Sequence, residues 1–213
     1  RRQRQMCIRD RRSWVVFESG PFGATYAHAL GIRPHVDRAN PILALIGSPT
    51  ELTKLQSDRL ESQSGVDLIT VDDPASDVSQ LLSRLRASAE IGKTVIGIRT
   101  TSRDGSAPDP LHASQMLALI IDLAVECADS MQFDGIYASG GDVAFAVLDA
   151  LGARGYEVEN EVVPLAVSGK LVGGPHDGLG FATKGGLVGD ADAAVECINQ
   201  LRSRIRQSEP RIV

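Results

Sequence analysis

The sequence predicts an α/β domain in which helices cover both faces of a largely parallel sheet. Apolar runs of strand length alternate with helical patterns through most of the 213 residues. That alternation is typical of a parallel sheet with crossover helices. Near residue 156 the order changes, and three short strand patterns, broken by glycines, follow one another without a helix between them, which indicates antiparallel pairing. We therefore expect a layered α/β/α fold with a small antiparallel extension near the C-terminus.

The first strands and helices are placed in chain order by these patterns. Strands are expected at residues 14–17, 42–46, 68–71, 94–98 and 136–138. Helices are expected at residues 22–30, after residue 48, after residue 73, at 111–128 and after residue 140. Ser48-Pro49-Thr50-Glu51 has the form of a capping box, with Ser48 as the N-cap and proline at the first helical position. Asp73-Pro74 is expected to start the third helix.

The last third of the chain has a different pattern. Short strands are expected at residues 156–163, 165–172 and 179–183. Asp190 is expected to cap a final helix. The inner face of that helix repeats at helical spacing, through Ala194, Cys197, Ile198 and Leu201. The tail after Arg204 is expected to fray.

Charge is distributed unevenly along the chain. The net charge is −5, but residues 1–12 hold six arginines and one aspartate, which leaves the rest at −10. An acidic body argues against a nucleic-acid-binding domain, whose signature is a basic face. The arginine-rich start could be a basic arm, a targeting segment or sequence foreign to the fold. We favour the last, because residues 6–11 resemble translated adaptor sequence, and we expect the domain to occupy residues 13–213.

Cysteine usage and hydropathy predict the compartment. Cys7, Cys127 and Cys197 are widely spaced and odd in number, which is typical of reduced cysteines in a cytoplasmic protein. The longest apolar run, residues 116–121, ends at Asp122. It is far shorter than the roughly 18 residues that span a bilayer. We therefore expect no contact with a membrane.

Three glycine-containing turns are expected at the carboxyl ends of strands, where α/β folds bind their ligands. They lie at residues 47–50, 139–143 and 184–186. Glycine lets a ligand approach the backbone, and the first turn of a helix offers free N–H groups to anions. These turns therefore predict a phosphate site, with simple strand-to-helix connections as the structural alternative.

Other chemistries find little support in the sequence. Gly92-Lys93-Thr94 resembles the end of a phosphate-binding P-loop, but Ala87 stands where the first glycine is required, and a helix precedes the motif. The four histidines are scattered without metal-ligand spacing, which argues against a zinc site. Neither a G-x-S-x-G elbow nor a G-x-G-x-x-G turn after the first strand is present.

Three segments resemble the four-carbon acid sugar kinase family. Residues 140–152 (GGDVAFAVLDALG) resemble its G-G-[DE]-T-A-x-A-V-L-x-A-L-G segment. Residues 170–174, 178–179 and 183–190 (TKGGLVGD) resemble its L-x-G-G…G-L…T-K-S-G-G-F-G-D run. Residues 47–56 (GSPTELTKLQ) are similar to its G-S-x-S-x-x-T-x-x-Q element. The matches occur in the family's order and cover about residues 14–204.

The resemblance implies the C-terminal, ATP-binding domain of a two-domain kinase that phosphorylates threonate, erythronate or 3-oxo-tetronate. We expect the N-terminal domain that would hold the sugar acid to be missing from this chain, and the chain therefore to be inactive alone. We expect small sugar acids to bind through that N-terminal domain. We expect neither nucleic acid nor membranes to be partners, and self-association is left open. The alternative is a diverged regulatory domain that binds a nucleotide or phosphorylated ligand without kinase activity.

Carried onto this sequence, the resemblance implies an ATP site of eight residues: Ser48, Thr50, Gly140, Gly141, Asp142, Val143, Gly185 and Gly186. Asp142 is also the candidate ligand for Mg²⁺, which offsets phosphate charge in phosphoryl transfer. Val143 and Gly185 stand where the family has hydroxyl residues. Lys184 could face phosphate, solvent or a helix. His176 and Asp177 are expected in a surface loop.

Overall fold

The computed structural model describes residues 40–47, 50–101 and 109–208, and this part of the chain forms seven strands and five helices. The strands are β1 (Ile42–Ile46), β2 (Val66–Val71), β3 (Val95–Thr100), β4 (Gly135–Ser139), β5 (Gly155–Val163), β6 (Ala166–Val172) and β7 (Gly180–Lys184). The helices are α1 (Glu51–Glu61), α2 (Val78–Glu90), α3 (Pro110–Ser130), α4 (Gly141–Ala150) and α5 (Ala193–Ser208). The strand and helix predicted at residues 14–17 and 22–30 lie outside the described residues, as does Cys7.

All seven strands belong to one sheet, in the order β2-β3-β1-β4-β7-β6-β5. The first five strands in that order are parallel to one another. Strand β6 pairs antiparallel with β7, and β5 pairs antiparallel with β6. The largely parallel sheet with a small antiparallel extension is therefore confirmed. The parallel strands β1, β4 and β7 are direct neighbours, so their carboxyl ends meet at one edge of the sheet.

Helices cover both faces of the sheet, as predicted. Helices α2, α3 and α4 pack on one face through a buried apolar cluster that includes Leu85, Leu123 and Val147. Helices α1 and α5 cover the other face through Leu60, Cys197, Ile198 and Leu201. Every residue of β1 is buried, because this strand has neighbours on both sides and helices above and below. The predicted inner face of the last helix is confirmed.

Two helices begin later than predicted. The N-cap of α1 is Thr50, whose side chain accepts a hydrogen bond from the Thr53 amide. The prediction of Ser48 as N-cap is therefore wrong for this helix, because the pair Thr50 and Thr53 supplies the cap. Helix α2 is capped by Asp77, which accepts from the Ser79 amide. Asp73 instead closes a preceding turn by accepting from the amide two residues on, as aspartate commonly does.

The other boundaries differ by a few residues. Helix α5 continues to Ser208, past the point where fraying was predicted. Asp190 accepts from the Asp192 amide and so closes the turn before α5.

Among the helices described here, α3 is long and apolar enough to cross a membrane by length and composition. Its apolar side nevertheless packs in the core through Met116, Ile120 and Leu123, and a buried core helix has the same composition.

Candidate functional site

Three loops meet at the carboxyl edge of the sheet. They follow β1, β4 and β7 and begin at Gly47, Gly140 and Gly185. Backbone hydrogen bonds continue past the strand ends, from Gly47 N to Ser139 O at 3.2 Å and from Gly140 N to Lys184 O at 2.9 Å. The three glycine turns predicted from the sequence are therefore fixed to one another rather than being separate features.

A cavity of about 590 Å³ lies between these loops and helix α3. Its loop side is lined by Gly47, Thr50, Gly140, Gly141, Asp142, Val143, Gly185, Gly186, Leu187 and Val188. Its other side is lined by Thr100, Thr101, His112, Ala113, Met116, Leu117 and Ile120. Its volume falls within the range of small-molecule sites in proteins. Seven of the eight residues predicted for the ATP site line this cavity, and the eighth, Ser48, lies outside the described residues.

The first turn of α4 forms one end of the cavity. Gly140 has φ +112°, a conformation that only glycine adopts without strain. Its N–H donates a hydrogen bond to the Lys184 carbonyl and is not available to a ligand. A side chain at Gly141 would meet no atom within 4 Å, so the cavity is open there. The amides that begin α4 at Gly141, Asp142 and Val143 have no partner within the helix and remain as donors.

Helix α1 holds the third loop through buried polar side chains. The Gly186 carbonyl lies 3.0 Å from the Thr50 hydroxyl and 2.9 Å from the Thr53 hydroxyl. The Gln56 amide donates to the carbonyls of Val188 at 3.0 Å and Asp190 at 2.6 Å. Thr53 and Gln56 are 2% and 1% exposed. These contacts fix the backbone of the loop where it lines the cavity.

The side chain of Val143, in the first turn of α4, packs against the end of β1. A side-chain carbon added at Gly47 would lie only 2.4 Å from a Val143 methyl group. Gly47 is therefore required by the close approach of α4 to the end of β1. Val143 itself is buried, so the residue at this position contacts the core as well as the cavity.

Asp142 is an exposed carboxylate at the cavity edge, in the first turn of α4. No group of three or more metal-ligating side chains occurs among the described residues. A lone carboxylate fits the way Mg²⁺ is held beside phosphates, where one or two carboxylates, waters and substrate oxygens supply the ligands. It does not fit a metal site built from protein side chains alone.

His176 and Asp177, which were predicted to lie in a surface loop, are far from the cavity at the carboxyl edge of the sheet. His176 and Asp177 line a second cavity together with Asn40, Gln132 and Phe133, which precede β1 and β4 and so lie at the opposite end of the sheet. Asp177 accepts from the Gly173 amide at 2.6 Å, consistent with the predicted loop.

The turn at Gly92 and Lys93 joins α2 to β3, so the predicted helix-to-strand context of this motif is confirmed. Cys127 and Cys197 are free and buried, as predicted.

The α3 side of the cavity was not predicted. His112, Ala113, Met116 and Leu117 bring one face of this helix to the cavity. The helix is apolar on nearly every side, so its periodicity does not separate a face that lines a ligand site from a face that packs on the sheet. A histidine near the start of such a helix, after a polar loop, is the feature that could have suggested it.

A family model described as a nucleotide-binding C-terminal domain matches residues 43–194. A D-erythronate kinase of Heliobacterium modesticaldum is 35% identical over 219 residues, which cover 91% of this chain and 49% of that protein. A D-threonate kinase of Salmonella typhimurium is 27% identical over 173 residues, covering 70% of this chain and 40% of that one. The chain thus spans about half the length, or less, of these curated relatives.

Solved structures have the same fold. A Bordetella bronchiseptica domain of unknown function, crystallised with bound citrate as a domain-swapped dimer, superposes with a TM-score of 0.66 and 26% identity, covering 77% of this chain and 41% of that one. A Haemophilus influenzae protein superposes with a TM-score of 0.62 and 17% identity, covering 83% of this chain and 45% of that one. The second likeness concerns the fold alone.

Proposed function

Because the chain belongs to the nucleotide-binding C-terminal domain family of four-carbon acid sugar kinases, we propose that its cavity binds ATP for transfer of the γ-phosphate to a sugar acid. The observation that carries the proposal is the junction of three glycine loops at adjacent strand ends, beside the free amides of α4. A helix start of this kind attracts phosphate through its N–H groups and dipole.

The phosphates are assigned to the end of the cavity formed by α4. Gly141 leaves open space where any other residue would place a side chain. The amides of Gly141, Asp142 and Val143 then face the polyphosphate. Gly185 and Gly186, in the neighbouring loop after β7, line the same cavity, and the Gly186 carbonyl is held by the hydroxyls of Thr50 and Thr53.

The base is assigned to the side formed by α3. Met116 and Leu117 supply apolar surface there, and Leu187 lies across the cavity with 77% of its surface exposed. Flat aromatic bases gain free energy by covering apolar surface. His112, Thr100 and Thr101 add polar groups at the same wall.

Mg²⁺ would be held by Asp142 together with phosphate oxygens and water. The ion neutralises charge on the β and γ phosphates when it is bound. The carboxylate projects from the same helix turn whose amides are assigned to the phosphates, so ion and phosphates would meet there.

The whole protein is proposed to be a cytoplasmic kinase acting on a four-carbon sugar acid such as erythronate or threonate. The relatives named as such kinases support this reading, and no observation favours the regulatory alternative. Because the chain spans about half their length, we propose that a further domain supplies the sugar-acid site and that this chain alone does not turn over. Self-association stays a proposal, which the domain-swapped neighbour favours.

Calorimetric titration with ATP and Mg²⁺ tests the nucleotide site. The wild-type chain should bind ATP saturably, and Gly141→Val should lose at least about tenfold in affinity, or about 1.4 kcal/mol, while staying folded. Gly155→Val is the matched control, because that glycine starts an edge strand with room for a side chain. Failure of the wild-type chain to bind at millimolar ATP would refute the proposal.

Turnover needs the full-length gene product. Joined to its substrate domain, the protein should release ADP when given a four-carbon acid and ATP. A complete protein that binds ATP and yet phosphorylates none of threonate, erythronate and 3-oxo-tetronate would favour the regulatory alternative.

A further inference from the structure

The described lining of the cavity assigned to ATP is poor in positive charge. This described lining includes Asp142 but neither lysine nor arginine. ATP carries several negative charges on its phosphates, and the start of α4 offers only partial charges to them. A fixed cation close to the phosphate end would therefore contribute to binding.

Lys184 places such a cation beneath the loops. It is the last residue of β7, pairs with Ser139 of β4, and is only 2% exposed. Its ammonium donates to the Gly185 carbonyl at 3.0 Å, and Gly185 lines the cavity. The side chain lies on the face that α5 covers, close to Cys197. The sequence left phosphate, solvent or a helix as the surroundings of Lys184. Its side chain faces helix α5, and the prediction of a solvated side chain is wrong.

The free protein gains little stability from this charge. No carboxylate in the described part of the chain forms an ion pair with Lys184, and burial lowers the pKa of its ammonium. The hydroxyls of Ser139 and Tyr137, on the same face of β4, are buried with no hydrogen-bond partner outside their own pair. A buried charge without an oppositely charged partner costs free energy, and an apolar residue of similar size is often more stabilising. The position therefore suits a role that appears only when an anion is bound.

We infer that Lys184 is a positioning residue for the polyphosphate, holding the Gly185 carbonyl in the third loop and supplying fixed positive charge beneath the phosphates. The inference rests on the proposed nucleotide function. Coulomb attraction grows with the charge of the ligand. The contribution of Lys184 should therefore increase from AMP to ADP to ATP, whereas a purely structural role would affect all three equally.

Lys184→Gln separates charge from hydrogen bonding, because glutamine keeps an N–H donor for the Gly185 carbonyl. Affinities for AMP, ADP and ATP, measured without added Mg²⁺, should fall by about twofold or less for AMP and by about tenfold for ATP. The melting temperature of the free variant should equal or exceed that of the wild-type chain. Lys184→Met is the second variant, with the same expected order.

Lys93→Gln is the matched control. Its ammonium also donates to a backbone carbonyl, that of Val66 at 3.3 Å, but it lies at the opposite end of the sheet, where β3 begins. It should leave all three affinities unchanged.

The outcomes separate this inference from the proposed function. Saturable wild-type binding with equal losses for the three nucleotides, or with no loss, would overturn the inference alone. Two Lys184 variants that both fail to fold would make the residue structural and overturn it as well. Absence of ATP binding by the wild-type chain would overturn the proposed function and this inference together.

Discussion

Replacing Gln56 by methionine tests whether α1 supports the site through the third loop. Methionine has a similar volume but cannot donate, so the carbonyls of Val188 and Asp190 lose bonds of 3.0 and 2.6 Å. Each hydrogen bond contributes about 0.5–1.5 kcal/mol net, giving about 1–3 kcal/mol for the pair. The side-chain carbonyl oxygen of Gln56 is buried without a hydrogen-bond partner. Removing this oxygen offsets part of the stability lost with the two hydrogen bonds. We expect a net loss of about 1–2 kcal/mol.

The assay is urea and thermal unfolding together with ATP titration. A loss of that size should lower the melting temperature by about 2–8 °C in a chain of this length. ATP affinity should fall by about fivefold or more, because the loop is less often in its bound position. Gln115→Met, at an exposed position of α3, is the control and should change neither quantity. Reduced stability with unchanged ATP affinity would refute the link between α1 and the site.

Three further changes test other parts of the structure. Gly140→Ala should destabilise the fold by about 1–2 kcal/mol in urea unfolding, because its φ is +112°; unchanged stability would contradict the strained conformation. Leu187→Ala should leave stability unchanged, since the side chain is 77% exposed, yet weaken ATP binding about threefold while inorganic triphosphate binds as before; equal effects on both ligands would move the base elsewhere. Burial raises the pKa of Cys127 from 9.0 to about 12, so its contribution to stability is complete below about pH 9 and is lost as the pH rises towards 12. The wild-type chain should therefore lose more stability between pH 8 and pH 10.5 than Cys127→Ala does, and equal losses would contradict the raised pKa.

The strands were predictable because apolar runs bounded by turn residues are strong signals. Residues 42–46 form β1 as predicted. The helix starts were less predictable, since Asp73-Pro74 suits both a turn and a helix start, and a local hydrogen bond decided for the turn. The apolar residues of α1 do not mark its inner face, because Leu55 is exposed while Thr53 and Gln56 are buried. Polar residues that bind a distant loop leave no periodic apolar signal.

Most of the candidate site was predictable for a different reason. A glycine turn after a strand can be recognised from the local sequence. Because parallel strands run in the same direction, their carboxyl ends lie at one edge of the sheet. The sequence does not show that β1, β4 and β7 are neighbours, because strand order depends on long-range pairing. The α3 wall was missed because an almost wholly apolar helix hides which face lines a cavity.

The two departures from the family pattern have limited consequences for the proposed site. Val143 and Gly185 lack side-chain hydroxyls, but backbone amides at the start of α4 do not depend on the side chain at either position. Val143 also fills the space against Gly47, a packing role that threonine, with nearly the same shape, would share. The third loop is fixed by Thr50, Thr53 and Gln56 from outside its own sequence. A site built from backbone groups, and supported from a neighbouring helix, therefore tolerates substitutions that would disable one built from side chains.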